Sequence, residues 1–102
     1  MTLALRITFR GQADIDEHAA YLDDHARNDG ERFLTELAHV FDRLVTFPAF
    51  GQPFPTEHHP GLRRVVLPSF PLSVFYRSNR TTVEVLRVLH HARNLSPLLD
   101  EI

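Results

Sequence analysis

"TVEVLRVLH", residues 82–90, sets Val83, Val85, Leu86, Val88 and Leu89 in a run that only Glu84 and Arg87 interrupt. A strand with one wet face alternates apolar and polar residues, whereas a strand covered on both faces is apolar nearly throughout. The stretch therefore predicts a central strand. Arg87, if buried inside it, must pair, either with Glu84 or with an acid supplied by a helix. Just upstream, "RSNRT" (77–81) has the composition of a hairpin turn. The run Phe70–Arg77 is then an antiparallel neighbour of Thr82–His90, with Leu62–Leu67 as a further strand.

Ahead of these strands, "FPAFGQPFPTEHHPG" (47–61) places four prolines and two glycines in fifteen residues and is expected to exclude regular structure. Earlier still, Phe33, Leu37, Val40, Phe41 and Leu44 form one wide apolar face at helical spacing, and Ile15, His18, Ala19 and Leu22 form another. Thr8 is the expected N-cap of the first helix, with Asp14, Asp16 and Glu17 in its early turns, where the helix dipole favours negative charge. Asn28 and Glu31 have the spacing of a capping box for the second helix. The short connection makes the two an antiparallel hairpin. Leu3, Leu5 and Ile7 alternate with Ala4, Arg6 and Thr8 as a half-buried first strand; no basic segment precedes them as in a secretory leader. Leu95–Ile102 is a short helix or tail. The expected architecture is α+β in the order β-α-α-β-β-β, a helical hairpin packed on one face of a mainly antiparallel sheet.

The 102 residues, 43% hydrophobic and 24% charged, suit a single globular domain over 1–102. No apolar run approaches the roughly 20 residues of a membrane span. The chain has no cysteine, which removes disulfides, thiolate zinc sites and cysteine nucleophiles. It reads as cytoplasmic. The net charge of −2 is unevenly spread: residues 1–60 hold ten acidic and five basic side chains, residues 61–102 three acidic and six basic. All eleven basic residues are arginines, whose planar forks suit carboxylates and phosphates. A sequence pI near 6.4 argues against general nucleic-acid binding.

Six stretches, "DIDEHAAYL" (14–22), "ERFLTEL" (31–37), "FPAFGQP" (47–53), "PGLRRVVL" (60–67), "FPLSVFYR" (70–77) and "VLRVLHHAR" (85–93), occur here in the order they take in the RelE/ParE superfamily. The chain resembles these toxins of bacterial type II toxin–antitoxin systems over nearly its whole length. The ParE branch is the more similar, through the Phe-Pro…Gly-x-Pro loop, the Gly-Leu-Arg strand entry and the ending "VLHHAR" (88–93). The resemblance implies a toxin in a hetero-oligomer with a cognate ParD-like antitoxin, with DNA gyrase as its target and no cofactor. The alternatives are a RelE-like mRNA endonuclease acting in the ribosome, or a toxin-derived interaction module without activity. Relatives that cut RNA use lysines, arginines and a C-terminal tyrosine or histidine; this chain has no lysine, and no tyrosine follows Tyr76.

Candidate residues follow from these alternatives. A nuclease would draw on Arg63, Arg77, His90 and Arg93. A target-contact surface would use Arg87, His90, His91 and Arg93. Antitoxin binding would use the apolar Leu34, Val45, Phe47, Phe50 and Phe54 with Arg63 and Arg77, because apolar residues beyond what a small core needs mark a partner site. Tyr76 is expected in the core with its hydroxyl at the rim, and His90 to hydrogen-bond across the sheet. No metal is expected: His58-His59 lies in a loop without further ligands, and the adjacent His90 and His91 point to opposite sides of an extended strand.

Overall fold

The computed structural model describes residues 2–92 and 95–100. Its elements run β1 (Ala4–Ile7), α1 (Phe9–His25), α2 (Asp29–Thr46), β2 (Gln52–Pro53), β3 (Arg63–Val66), β4 (Leu72–Ser78), β5 (Thr82–His90) and α3 (Leu95–Asp100). The five strands make a sheet in the order β1-β5-β4-β3-β2, with β1 parallel to β5 and the other pairs antiparallel. The fold is α+β, as the spacing of apolar residues predicts. β2 is a correction to the 47–61 loop: Gln52 and Pro53 pair with Arg64 and Arg63. Proline is tolerated there because β2 is an edge strand.

β5 lies inside the sheet, and its two faces feed two cores. On the hairpin side, Val83, Val85 and Val88 join Val74 and Tyr76 of β4, Val65 of β3, and Ile15, Phe33, Leu37 and Leu44 of the helices. On the other side, Leu86 and Leu89 pack with Leu62, Phe75 and Leu99. Tyr76 pairs with Val85 but Phe75 with Arg87, so Leu86 is an extra residue in β5. Such a bulge breaks strict alternation. It explains why Val85 and Val88, three residues apart, serve one core while Leu86 and Leu89 serve the other.

Thr8 caps α1 as expected, its Oγ1 accepting from Gly11 N at 3.0 Å and donating to Leu86 O at 2.8 Å. The acids of α1 act differently from the expectation. The helix starts at Phe9, so Asp14 and its neighbours lie beyond the first turn. Asp14 instead turns to β5, whose edge is uncovered after β1 ends opposite Val85. Its carboxylate accepts from Arg87 Nε at 2.7 Å, Arg87 Nη2 at 3.0 Å and Val88 N at 3.0 Å. His18 Nε2 lies 2.9 Å from Val88 O on the same edge. One face of α1 thus takes over from β1 in satisfying the strand.

The capping box at Asn28 does not form. Asn28 is left-handed (φ 67°) and makes no side-chain cap hydrogen bond. A box requires extended backbone at the cap, whereas this residue reverses the chain between two helices. Asp23 takes over, accepting from Gly30 N at 2.9 Å. A Cβ on Gly30 would fall 2.4 Å from that carboxylate, so only glycine allows the approach.

Tyr76 is fully buried, not at the rim. Its hydroxyl donates to Pro48 O at 2.7 Å and accepts from Gly51 N at 2.8 Å, because the loop after α2 folds back over β4. Burial pushes its pKa above 10.0, against the opposing pull of the Gly51 hydrogen bond and the Arg63 charge. A phenol with a raised folded-state pKa stabilises the fold fully below its unfolded value, and that contribution is lost as pH climbs through the folded value. The urea midpoint should therefore fall above about pH 10, and fall less in Tyr76→Phe. That variant should cost about 1–3 kcal/mol at neutral pH, since Gly51 N–H loses its acceptor. Identical alkaline profiles for the two proteins would contradict this.

Candidate partner and target surfaces

The apolar residues expected to meet a partner divide into two groups. Leu34, Phe47 and Phe50 are exposed, Phe47 by 64%. Val45 packs against the hairpin-side core and Phe54 against the other, its ring edge-on to Phe75 at 5.3 Å. Val45 turns inward at the end of α2, and Phe54 is drawn in where Phe54 N donates to Leu62 O at 2.9 Å beside β2. Phe50 lies beneath the Arg43 guanidinium at 5.0 Å and lines a cleft of about 330 Å³ with Val40, Val65, Val66 and Pro68. Phe9, Tyr21 and Val66 are also exposed. Phe9, the first residue of α1, lies off the stripe of Ile15, His18, Ala19 and Leu22, so the helix phase turns it outward.

The arginines are spread along the sheet. Arg63 Nη1 donates to Gly51 O at 2.7 Å and Ala49 O at 3.3 Å, tying β3 to the loop. Arg77 pairs with Glu84 at 2.8 Å, with His59 Nδ1 3.5 Å away. Since Glu84 is taken by Arg77, the partner of Arg87 is the helix acid Asp14, both side chains 12% exposed. Arg77 faces Glu84 near the start of β5, and His90 faces Leu72 at its end. At about 3.3 Å per residue these six positions span roughly 20 Å. Arg63, Arg77 and His90 are thus not brought to one point. Arg93 lies outside the described residues.

The paired histidines separate as alternation predicts, but with roles exchanged. His90 Nδ1 accepts from Ala92 N at 2.9 Å and stays on its own segment. His91 is the one that reaches across, its Nε2 2.8 Å from Ser73 Oγ. Ser73 Oγ also accepts from Arg64 Nε at 3.0 Å. The Arg64–Ser73–His91 group has no signature in the sequence, because strand register alone brings it together. Among the described residues no group of three or more metal-ligating side chains occurs, and no helix is long and apolar enough to cross a membrane.

The comparisons accord with this architecture. Residues 5–95 match the family model described as the ParE toxin of the type II toxin–antitoxin system parDE. Y4kP of Sinorhizobium fredii (strain NBRC 101917 / NGR234), named as a candidate toxin, is 30% identical over 86 residues, 84% of this chain and 85% of that protein. The fold is similar to a chain of the chromosomal ParDE system of P. aeruginosa, with a TM-score of 0.73 and 20% identity, covering 87% of this chain and 96% of that one. It is also similar to a chain of the toxin–antitoxin complex RelBE2 of Mycobacterium tuberculosis, with a TM-score of 0.63 and 22% identity, covering 88% and 99%. The match across nearly every element, from β1 to the start of α3, makes this chain a member of the ParE toxin family of type II toxin–antitoxin systems.

Proposed function

We propose that the chain arrests growth by inhibiting DNA gyrase in the cytoplasm, and that a ParD-like antitoxin neutralises it in a hetero-oligomer. The observation that carries this reading is the ParE-family match over residues 5–95. Arg63 and Arg77 are occupied in separate hydrogen bonds and His90 lies far from both, which favours inhibition by contact over RNA cleavage. The exposed Leu34, Phe47 and Phe50 suit apolar anchors of the antitoxin, and its acids would meet Arg63 and Arg77 by sharing or displacing their present partners Gly51 O and Glu84. Of the residues expected on the target side, His90 and Arg93 are assigned to it; Arg87 is held with Asp14 at 12% exposed and His91 is held by Ser73.

Induced expression, followed by parallel gyrase-supercoiling and ribosome-bound mRNA cleavage assays, tests the reading. Inhibition of supercoiling without new mRNA ends is expected, with growth restored by co-expressed antitoxin. Arg93→Ala should relieve arrest while His90→Gln stays toxic, because an arginine fork carries more interface energy than an imidazole at the edge. Ribosomal mRNA cuts that disappear in His90→Gln, with supercoiling untouched, would assign the chain to the nuclease class and refute the proposal.

A further inference from the structure

The sheet face opposite the hairpin is only partly covered. Leu99 of α3 packs there with Leu62, Phe75, Leu86 and Leu89. Ser73 of β4 lies on that same face, opposite Leu89, and is 0% exposed; apart from the Tyr76 phenol it is the one buried polar side chain among the described residues. Its hydroxyl holds two basic groups, Arg64 Nε at 3.0 Å and His91 Nε2 at 2.8 Å. A serine hydroxyl beside an imidazole also suggests a nucleophile, but one with no exposed surface cannot meet a substrate. Ser73 is a positioning residue, and the chemistry lies in what it positions.

We propose that Arg64 and His91, fixed by Ser73, form a seat for a carboxylate borne by an extended acidic segment of the partner protein. This rests on the toxin–antitoxin reading above and names the chemistry of one contact within it. With Nε engaged, the guanidinium keeps its two Nη groups at its other end, and no hydrogen bond engages them among the described residues. That pair is the fork to which a carboxylate binds through both oxygens. The Phe54 ring lies 5.6 Å from Arg64 Cζ and further limits its motion, so little freedom is lost when the ligand arrives.

The surroundings favour a peptide over nucleic acid. Val66, two residues beyond Arg64 and therefore on the same face, is 48% exposed and suits an apolar neighbour of the acid. β2 pairs only with Arg63 and Arg64, which leaves the outer edge of β3 open at Val65 and Val66. An extended peptide can pair with such an edge through its backbone, which a sugar–phosphate chain cannot do. A cleft of about 260 Å³ lined by Phe50, Gly51, Gln52, Arg64, Val65 and Val66 follows this edge. A single fork on a chain of net charge −2 lacks the row of cations by which phosphate backbones are held.

The test is a titration of the ¹⁵N-labelled full chain with a blocked five-residue peptide of threonine that carries glutamate and valine two residues apart, and so on one face, against the same peptide with glutamine for glutamate. The glutamate peptide is expected to bind at least about tenfold more tightly, as charge-assisted hydrogen bonds require. Its shifts should centre on the His91 ring and the Val65 and Val66 amides, and Arg64→Gln should abolish the preference. The peptide comparison uses the unaltered chain, so it decides the matter even if that variant fails to fold. Equal binding of the two peptides, or shifts confined to other surfaces, would overturn the proposal. So would a single-stranded oligonucleotide that moves the same resonances at lower concentration than the peptide. Gyrase inhibition and growth arrest are read separately, so failure of this seat leaves the toxin reading standing.

Discussion

Asp14→Ala is expected to destabilise the fold by about 3 kcal/mol, at the lower end of the range for removing one partner of a buried ion pair. The carboxylate accepts three hydrogen bonds, two from the Arg87 guanidinium and one from Val88 N. Both ionic side chains are 12% exposed, so water replaces little of what is lost. The position is structural as well as electrostatic, because β1 stops at Ile7 and α1 must supply acceptors for the rest of the β5 edge. Asp14→Asn, which keeps an acceptor oxygen but not the charge, should lose less. Asp14→Leu combined with Arg87→Met should recover much of the loss, since replacing both members of a buried pair with apolar groups is far milder than removing one. Urea unfolding of the four proteins measures this. An Asp14→Ala midpoint equal to wild type would show that the pair contributes nothing.

Phe33→Ala should be costlier, at about 3–5 kcal/mol. Phe33 is 0% exposed at the centre of the hairpin-side core, with ring centroids of His18 at 6.2 Å and Phe70 at 5.8 Å, both edge-on. It joins α1, α2 and the turn before β4, so its removal opens a cavity that no single element can close. For a domain of this size such a loss lowers the melting temperature by more than about 12 °C. Phe41 has the same spacing on α2 but is only partly buried, and its truncation should cost less. Loss of toxicity in Phe33→Ala would report unfolding and not a contact. An unchanged melting temperature would mean that α2 does not pack with this face inward.

The candidate surfaces were less legible than the fold. Composition identified apolar residues in excess of the core, and Leu34, Phe47 and Phe50 are indeed exposed. It could not separate these from Val45 and Phe54, because whether a loop aromatic turns in depends on a backbone contact such as Phe54 N to Leu62 O. It also paired the wrong histidine with the sheet. His90 and His91 are identical in type and adjacent in sequence. Only the end of β5 decides that His90 closes on Ala92 N while His91 meets Ser73.

Periodicity by itself determined the helical hairpin, the interior place of β5 and, β2 excepted, the order of the elements from β1 to β5. Those properties follow from which residues avoid water, and apolar spacing is written along the chain. Tertiary structure alone decided the parallel pairing of β1 with β5, the extra residue at Leu86, the turning of Asp14 to Arg87, and the meeting of Arg64 with His91 on Ser73. Each is a polar contact or register between segments far apart in sequence. Hydrogen bonds act over about 3 Å and depend on direction, so their partners are chosen only after hydrophobic burial has set strands and helices side by side.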